Sequence, residues 1–171
     1  MKRFLSLILV LTMALCFAAC GDSTPATTDP SADPTVPAAE GYSFTYNGTK
    51  IAVHADAAPI LAALGEPQSY SEETSCAFDG LDKTYFYGSF YLQTYPMGDK
   101  DYVFCAWFMD DSVTTAEGAY VGMSQAEVEA LYGADSFNGT NAYVLTKGES
   151  TLTLILTDGA VSSIQYDAVV E

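Results

Sequence analysis

Between Thr84 and Tyr95 six of twelve residues are aromatic, and they fall into two alternating sets. A period of two places Phe86, Phe90 and Leu92 on one side of a strand and Tyr85, Tyr87, Tyr91 and Tyr95 on the other. A helix would scatter both sets around its circumference, so this stretch demands a β-sheet with one side packed on a core. The following strand, about Asp101 to Met109, is expected to turn Phe104, Ala106 and Phe108 inward and Val103, Cys105 and Trp107 to the tyrosine side. The open face would then carry Tyr85, Tyr87, Tyr91, Tyr95 and Trp107, the last being the only tryptophan of the chain. Such residues combine a large contact area with a polar tip, which suits both protein hot spots and sugar stacking. A solvated sheet stabilised by cross-strand tyrosine pairs, or a face covered by a second layer, is the other reading of the same pattern.

Around this strand the turn chemistry lays out a domain from residue 42 to 171. Asn47-Gly48 supplies the positive φ angles of a type I′ hairpin between Tyr42–Tyr46 and Lys50–His54. Asp56 is an N-cap and Gly65 a C-terminal stop for a short helix between them. The same arrangement recurs 68 residues later, with Ser124 as N-cap, Glu127 completing a capping box and Gly133 closing the helix. Strands are expected at Ser75–Phe78, Thr84–Tyr95 and Asp101–Met109 after the first helix. After the second they are expected at Ala142–Thr146, Thr151–Thr157 and Val161–Tyr166, with Asp158-Gly159 as the last hairpin turn. The fold class this predicts is α+β: two tandem helix-plus-antiparallel-meander units, about 42–112 and 113–171, forming a curved sheet with short helices on one face.

The segment Gly122-Met123-Ser124-Gln125-Ala126-Glu127-Val128-Glu129-Ala130-Leu131-Tyr132-Gly133 resembles the opening helix motif of the β-lactamase-inhibitory-protein-like fold, a motif shared by small lipoproteins of the outer-membrane assembly machinery. Those families often place Pro two residues after the closing Gly. The first half keeps it, as Gly65-Glu66-Pro67, whereas the second has Asp135. The resemblance implies α+β units with a concave, protein-binding sheet, and it carries no catalytic residue over to this chain.

The 171 residues are 49% hydrophobic, but part of that figure belongs to a leader. Lys2 and Arg3 precede an almost unbroken apolar stretch from Phe4 to Phe17, the pattern of a secretory signal over residues 1–19 that is short for a membrane span. Phe17-Ala18-Ala19-Cys20-Gly21 resembles the lipobox of bacterial lipoproteins, with Phe17 where that motif usually has Leu. The resemblance implies a diacylated Cys20 as first mature residue and lipid anchoring on the extracytoplasmic face of a bacterial cell membrane. An ordinary cleaved signal with a leftover thiol is the alternative. Residues 20–41 follow as a tether rich in Pro, Thr, Ser and Ala that contains too few apolar side chains to bury a core. It would span roughly 25 Å as coil or about 60 Å as polyproline II.

Acids outnumber bases 22 to 6 in the whole chain, a net charge of −16. Cleavage before Cys20 leaves four lysines against 22 acids, a net charge of −18. That charge repels nucleic acid and anionic bilayers as electrostatic partners. Catalytic and metal-binding patterns are thin. His54 is the only histidine, and a local hydrogen-bonding role suits its position at a strand end better than a Ser-His-Asp triad. Cys76 and Cys105 lack metal-ligand spacing, and either form a disulfide worth about 3 kcal/mol in the loop-entropy model or remain reduced. No calcium-loop motif organises Asp79, Asp82, Asp99, Asp101, Asp110 and Asp111, which sit where turns are expected. The expected function is a non-enzymatic, membrane-anchored protein-binding module without cofactor or metal. A cell-wall or glycan binder is the alternative, and a small hydrolase using His54 or an acid pair is a third reading.

Overall fold

A computed structural model describes residues 41–170. The expected signal, Cys20 and most of the tether lie outside the described residues. Two short strands open the domain, β1 (Ser43–Tyr46) and β2 (Thr49–Ala52), joined by Asn47 and Gly48 with φ of 47° and 81°. Helix α1 (Ala57–Leu64) follows, with the Asp56 carboxylate accepting the Ala58 N–H at 3.0 Å. Four strands then run as a meander: β3 (Ser69–Thr74), β4 (Leu81–Phe86), β5 (Phe90–Met97) and β6 (Lys100–Phe108). After a long connection come α2 (Gln125–Tyr132), a single 3-10 turn, and a second meander of β7 (Ala142–Lys147), β8 (Ser150–Thr157) and β9 (Ala160–Ala168). Glu127 reaches back to the Ser124 N–H at 3.0 Å, the capping contact that its spacing predicts.

The α+β class is overturned. The two meanders are fused into one seven-stranded antiparallel sheet, in the order β3-β4-β5-β6-β9-β8-β7, with β1 and β2 forming a separate two-stranded sheet. Each of the two α-helices has eight residues, and strand residues outnumber helical ones more than three to one. The chain is therefore a mostly β domain rather than a balanced pair of α+β units. The fusion occurs because β6 and β9 are antiparallel neighbours, with Cys105, Ala106 and Trp107 facing Asp167, Tyr166 and Gln165. Sequence similarity between two helix segments carries no information about whether the strands after them close separately or share an edge.

One face of this sheet holds the core. Tyr85, Leu92, Ala106, Tyr166 and Leu152 are successive cross-strand partners in a row that runs from β4 to β8. Phe44 of the hairpin presses onto it, 5.4 Å from Phe90, 4.9 Å from Phe108 and 5.4 Å from Tyr166 between ring centroids. Ile51, Ala57, Ile60 and Val128 from the hairpin and helices join the same core, as do Val113, Ala119 and Met123 from the 109–124 connection. Helices of two turns are too short to be stable alone, so they persist here through this packing.

A β-bulge sets which side chains reach the core. Gln93 faces Cys105, whereas Thr94 faces Val103, so Phe104 is an extra residue on β6. A one-residue insertion reverses the face of everything beyond it. Val103 is accordingly buried in the core, the reverse of the sequence expectation, while Phe104, the extra residue, is half-buried against both the core and Tyr95. At the same point β6 changes neighbour: β9 pairs with residues 105–107, while Val103 exchanges backbone hydrogen bonds with His54 and Ala55 at 2.8 and 2.9 Å.

Phe44 is 2% exposed and contacts three aromatic rings from three strands. Phe44→Ala is therefore expected to destabilise the domain by about 3–5 kcal/mol, measured by urea denaturation followed through near-ultraviolet circular dichroism.

Candidate functional site

The opposite face of the sheet is where strand register gathers unusual chemistry. Side chains on neighbouring strands stand about 4.8 Å apart, close to the thickness at which aromatic rings stack. Phe86 of β4 faces Tyr91 of β5, and Tyr91 faces Trp107 of β6. The rings form a ladder, with centroid separations of 4.5 Å for Phe86–Tyr91 and 5.1 Å for Tyr91–Trp107 and interplanar angles of 26° and 21°. Each ring is half-buried by its neighbours, and none belongs to the core on the other face. The same row continues through Gln165 and Thr153 to Val144, which is exposed on the far edge strand.

One step along the strands lies a polar row of Thr84, Gln93, Cys105, Asp167 and Thr151. The Cys105 thiol is buried and sits 3.4 Å from Gln93 Oε1. Burial, with the nearby Asp167 carboxylate adding to it, pushes this thiol up to about 12, so it stays protonated and unreactive at neutral pH. Asp167 accepts a hydrogen bond from the Gln165 amide at 2.7 Å, yet desolvation holds its carboxyl above the ordinary aspartate range. Further along, Glu73 of β3 and Asp82 of β4 are direct cross-strand partners on this same face. Two like charges in that position disfavour the pairing of the strands that carry them.

Of the residues expected to make up the binding face, the structure keeps two there. Tyr91 and Trp107 stand on it together. Tyr85 faces Leu92 and packs against the core. Tyr87 is 8% exposed, stacked on Phe90 at 5.3 Å inside the core. Tyr95 is on the outer side but only 2% exposed, enclosed by Phe78, Phe104, Tyr102 and His54. Phe86, expected to point inward, is the third rung of the ladder. The reassignments of Tyr85, Phe86 and Tyr87 follow from one feature, whereas Tyr95 keeps its side and is covered by its ring neighbours. Residues 84–95 are not one strand but two, reversed at Tyr87-Gly88-Ser89, where the Tyr87 N–H bonds the Phe90 carbonyl at 3.0 Å. The signal was Gly88, whose φ of 86° is the left-handed conformation that breaks a strand.

His54 bridges two parts of the fold. Its Nδ1 lies 3.0 Å from the Tyr95 hydroxyl and its Nε2 donates to the Glu149 carbonyl at 2.9 Å. Because a carbonyl only accepts, Nε2 carries a proton, and the two ring nitrogens tie the hairpin end to the β7–β8 turn and to Tyr95 of β5. Cys76 and Cys105 are both free thiols, the first exposed in the β3–β4 loop and the second buried within the polar row. Among the described residues no cluster of three or more His, Cys, Asp or Glu side chains is placed to hold a metal ion.

No family model matches the chain, and no curated protein matches it. Among solved structures it is similar to an extracellular protein containing an SCP domain from Bacillus anthracis str. Ames, at 13% identity and a TM-score of 0.41. The likeness covers 68% of this chain and 44% of that one, so the chain spans less than half of its structural neighbour. A likeness this weak carries no argument about fold or function. No helix among the described residues is long and apolar enough to cross a membrane.

The Asp167 carboxyl has a pKa raised in the folded state above its ordinary 3.8. Its ionisation therefore works against folding: the stability it contributes is full below the unfolded value and is lost as pH rises through the folded one. Asp167→Asn is expected to raise the urea midpoint at pH 7, with the gain shrinking as pH falls to the ordinary aspartate value and below.

Proposed function

We propose that this chain is a bacterial lipoprotein, anchored through Cys20 at the extracytoplasmic face of the cell membrane, whose β domain binds another protein without catalysing a reaction. The anchor rests on the leader, the lipobox-like run ending at Cys20 and the proline-rich tether that follows. The binding role rests on one observation: the Phe86–Tyr91–Trp107 ladder lies on a sheet face left open by the hairpin, both helices and the 109–124 connection, all of which pack into the core of the other face. A continuous aromatic strip outside the core is costly to leave in water and is typical of a contact surface.

Ring orientation favours a protein over a glycan. Sugars stack on free ring faces, whereas here each ring uses at least one face against its neighbour and Tyr91 uses both. Between its two ends the ladder offers outward a row of ring edges, a narrow apolar ridge suited to side chains of a protein partner.

Two measurements test this. Tyr91→Ala combined with Trp107→Ala is expected to reduce capture of the partner from cell-surface extracts at least about tenfold, as loss of a hot spot does; equal recovery by both proteins would falsify the face assignment. Cys20→Ala is expected to move the protein from the membrane fraction to the medium and to abolish incorporation of labelled palmitate. Continued membrane association of that variant would remove the lipid anchor from this reading.

A further inference from the structure

The charges on the ladder face point to the chemistry of its partner. Register brings Glu73, Asp82 and Asp167 onto this face, and the rows that carry the ladder and its polar neighbours contain no lysine. The bases lie elsewhere. Lys83 projects to the other side, beside Thr94 in register, and its ammonium is 2.7 Å from Asp101. Lys100 sits at the β5–β6 turn with its ammonium 3.5 Å from Asp56. Lys50 is on the hairpin, and Lys147 ends the edge strand β7.

At each end of the ladder one ring face stacks on no further rung. Phe86 turns its outer face toward Ser69 of β3, and Trp107 turns its own toward Gln165 of β9, next to Asp167. A cation stacked on that face of Trp107 would meet a carboxylate whose hydrogen-bond donor is the neutral Gln165 amide. Asp82 stands four residues from Phe86, about 13 Å along β4 at the usual strand rise. The face thus has an acidic pole at Glu73 and Asp82 and a second carboxylate beside Trp107, with an apolar ridge between them.

Building on the protein-binding reading of this face, we infer that its partner is a basic polypeptide segment bearing arginine, with a guanidinium seated between Trp107 and Asp167 and further cations meeting Glu73 and Asp82. Arginine suits the first position better than lysine. Its planar guanidinium stacks on an indole face and bonds a carboxylate side-on, whereas an ammonium is a compact, strongly hydrated charge. Asp167 is then kept as a desolvated acid because the partner relieves it.

Trp107 is the only tryptophan, so its fluorescence reports directly on this face. Titrating the purified full-length protein with nona-arginine is expected to change Trp107 emission saturably and to weaken as salt rises. Nona-lysine is expected to bind at least about threefold more weakly. Asp167→Asn, which is expected to fold at least as well as the parent, should lose about fivefold in affinity for nona-arginine, as does a site deprived of one partly desolvated carboxylate. Asp135→Asn, an equal charge change at an exposed residue in the turn after α2, should lose less than twofold. Equal losses from the two variants, equal binding of nona-arginine and nona-lysine, or an equal response to a chitosan hexamer would each overturn the inference. A protein partner captured through Tyr91 and Trp107 but indifferent to Asp167→Asn and to salt would leave the protein-binding reading standing and remove this one alone.

Discussion

Three cross-strand pairs hold this domain together as one object. Where β6 meets β9, Cys105, Ala106 and Trp107 face Asp167, Tyr166 and Gln165, and this short seam converts two meanders into a single sheet. Its middle pair, Ala106 and Tyr166, lies in the core under Phe44, while the flanking pairs build the outer face. The small side chain of Ala106 and the large ring of Tyr166 share one layer, so the hairpin can press down on the seam itself. Packing on one side therefore fixes the register that places Trp107 beside Gln165 and Asp167 on the other.

The same economy explains why the open face is precise. Side chains on a solvated face have little to lock them, but here the backbone positions that carry them are held by the core behind. Stacking between Phe86, Tyr91 and Trp107 adds about 0.5–1.5 kcal/mol per pair, enough to restrict the rings without burying them. Opposed to that gain are the like charges of Glu73 and Asp82 and the desolvated carboxyl of Asp167. These features lower the stability of the free protein, and they are concentrated on the face that the hairpin, both helices and the 109–124 connection leave open.

Much of the local structure was legible from residue type. Asp56 and Ser124 start helices, Gly65 and Gly133 end them, and Asn47-Gly48 and Asp158-Gly159 turn hairpins, because each depends only on dihedral preference and nearest neighbours. The strand Ser69–Thr74 was not legible. It is an edge strand exposed along its whole length, so neither side carries the apolar alternation by which a strand is recognised. The site was partly legible: Tyr91 and Trp107 were found through strand alternation, while Phe86 was assigned to the wrong side because the hairpin at Gly88 was read as continuous strand.

What the sequence determined by itself was the acidic balance, the turn positions and the β character of the aromatic segment, all set by composition or by contacts a few residues long. What only the tertiary structure decided was the fold class and the identity of the face. The pairing of β6 with β9 joins residues about sixty positions apart, and the bulge at Phe104 reverses inside and outside midway along a strand. Both are set by packing of the hairpin and the two meanders together, and a pattern read along one segment cannot contain the partner that completes it.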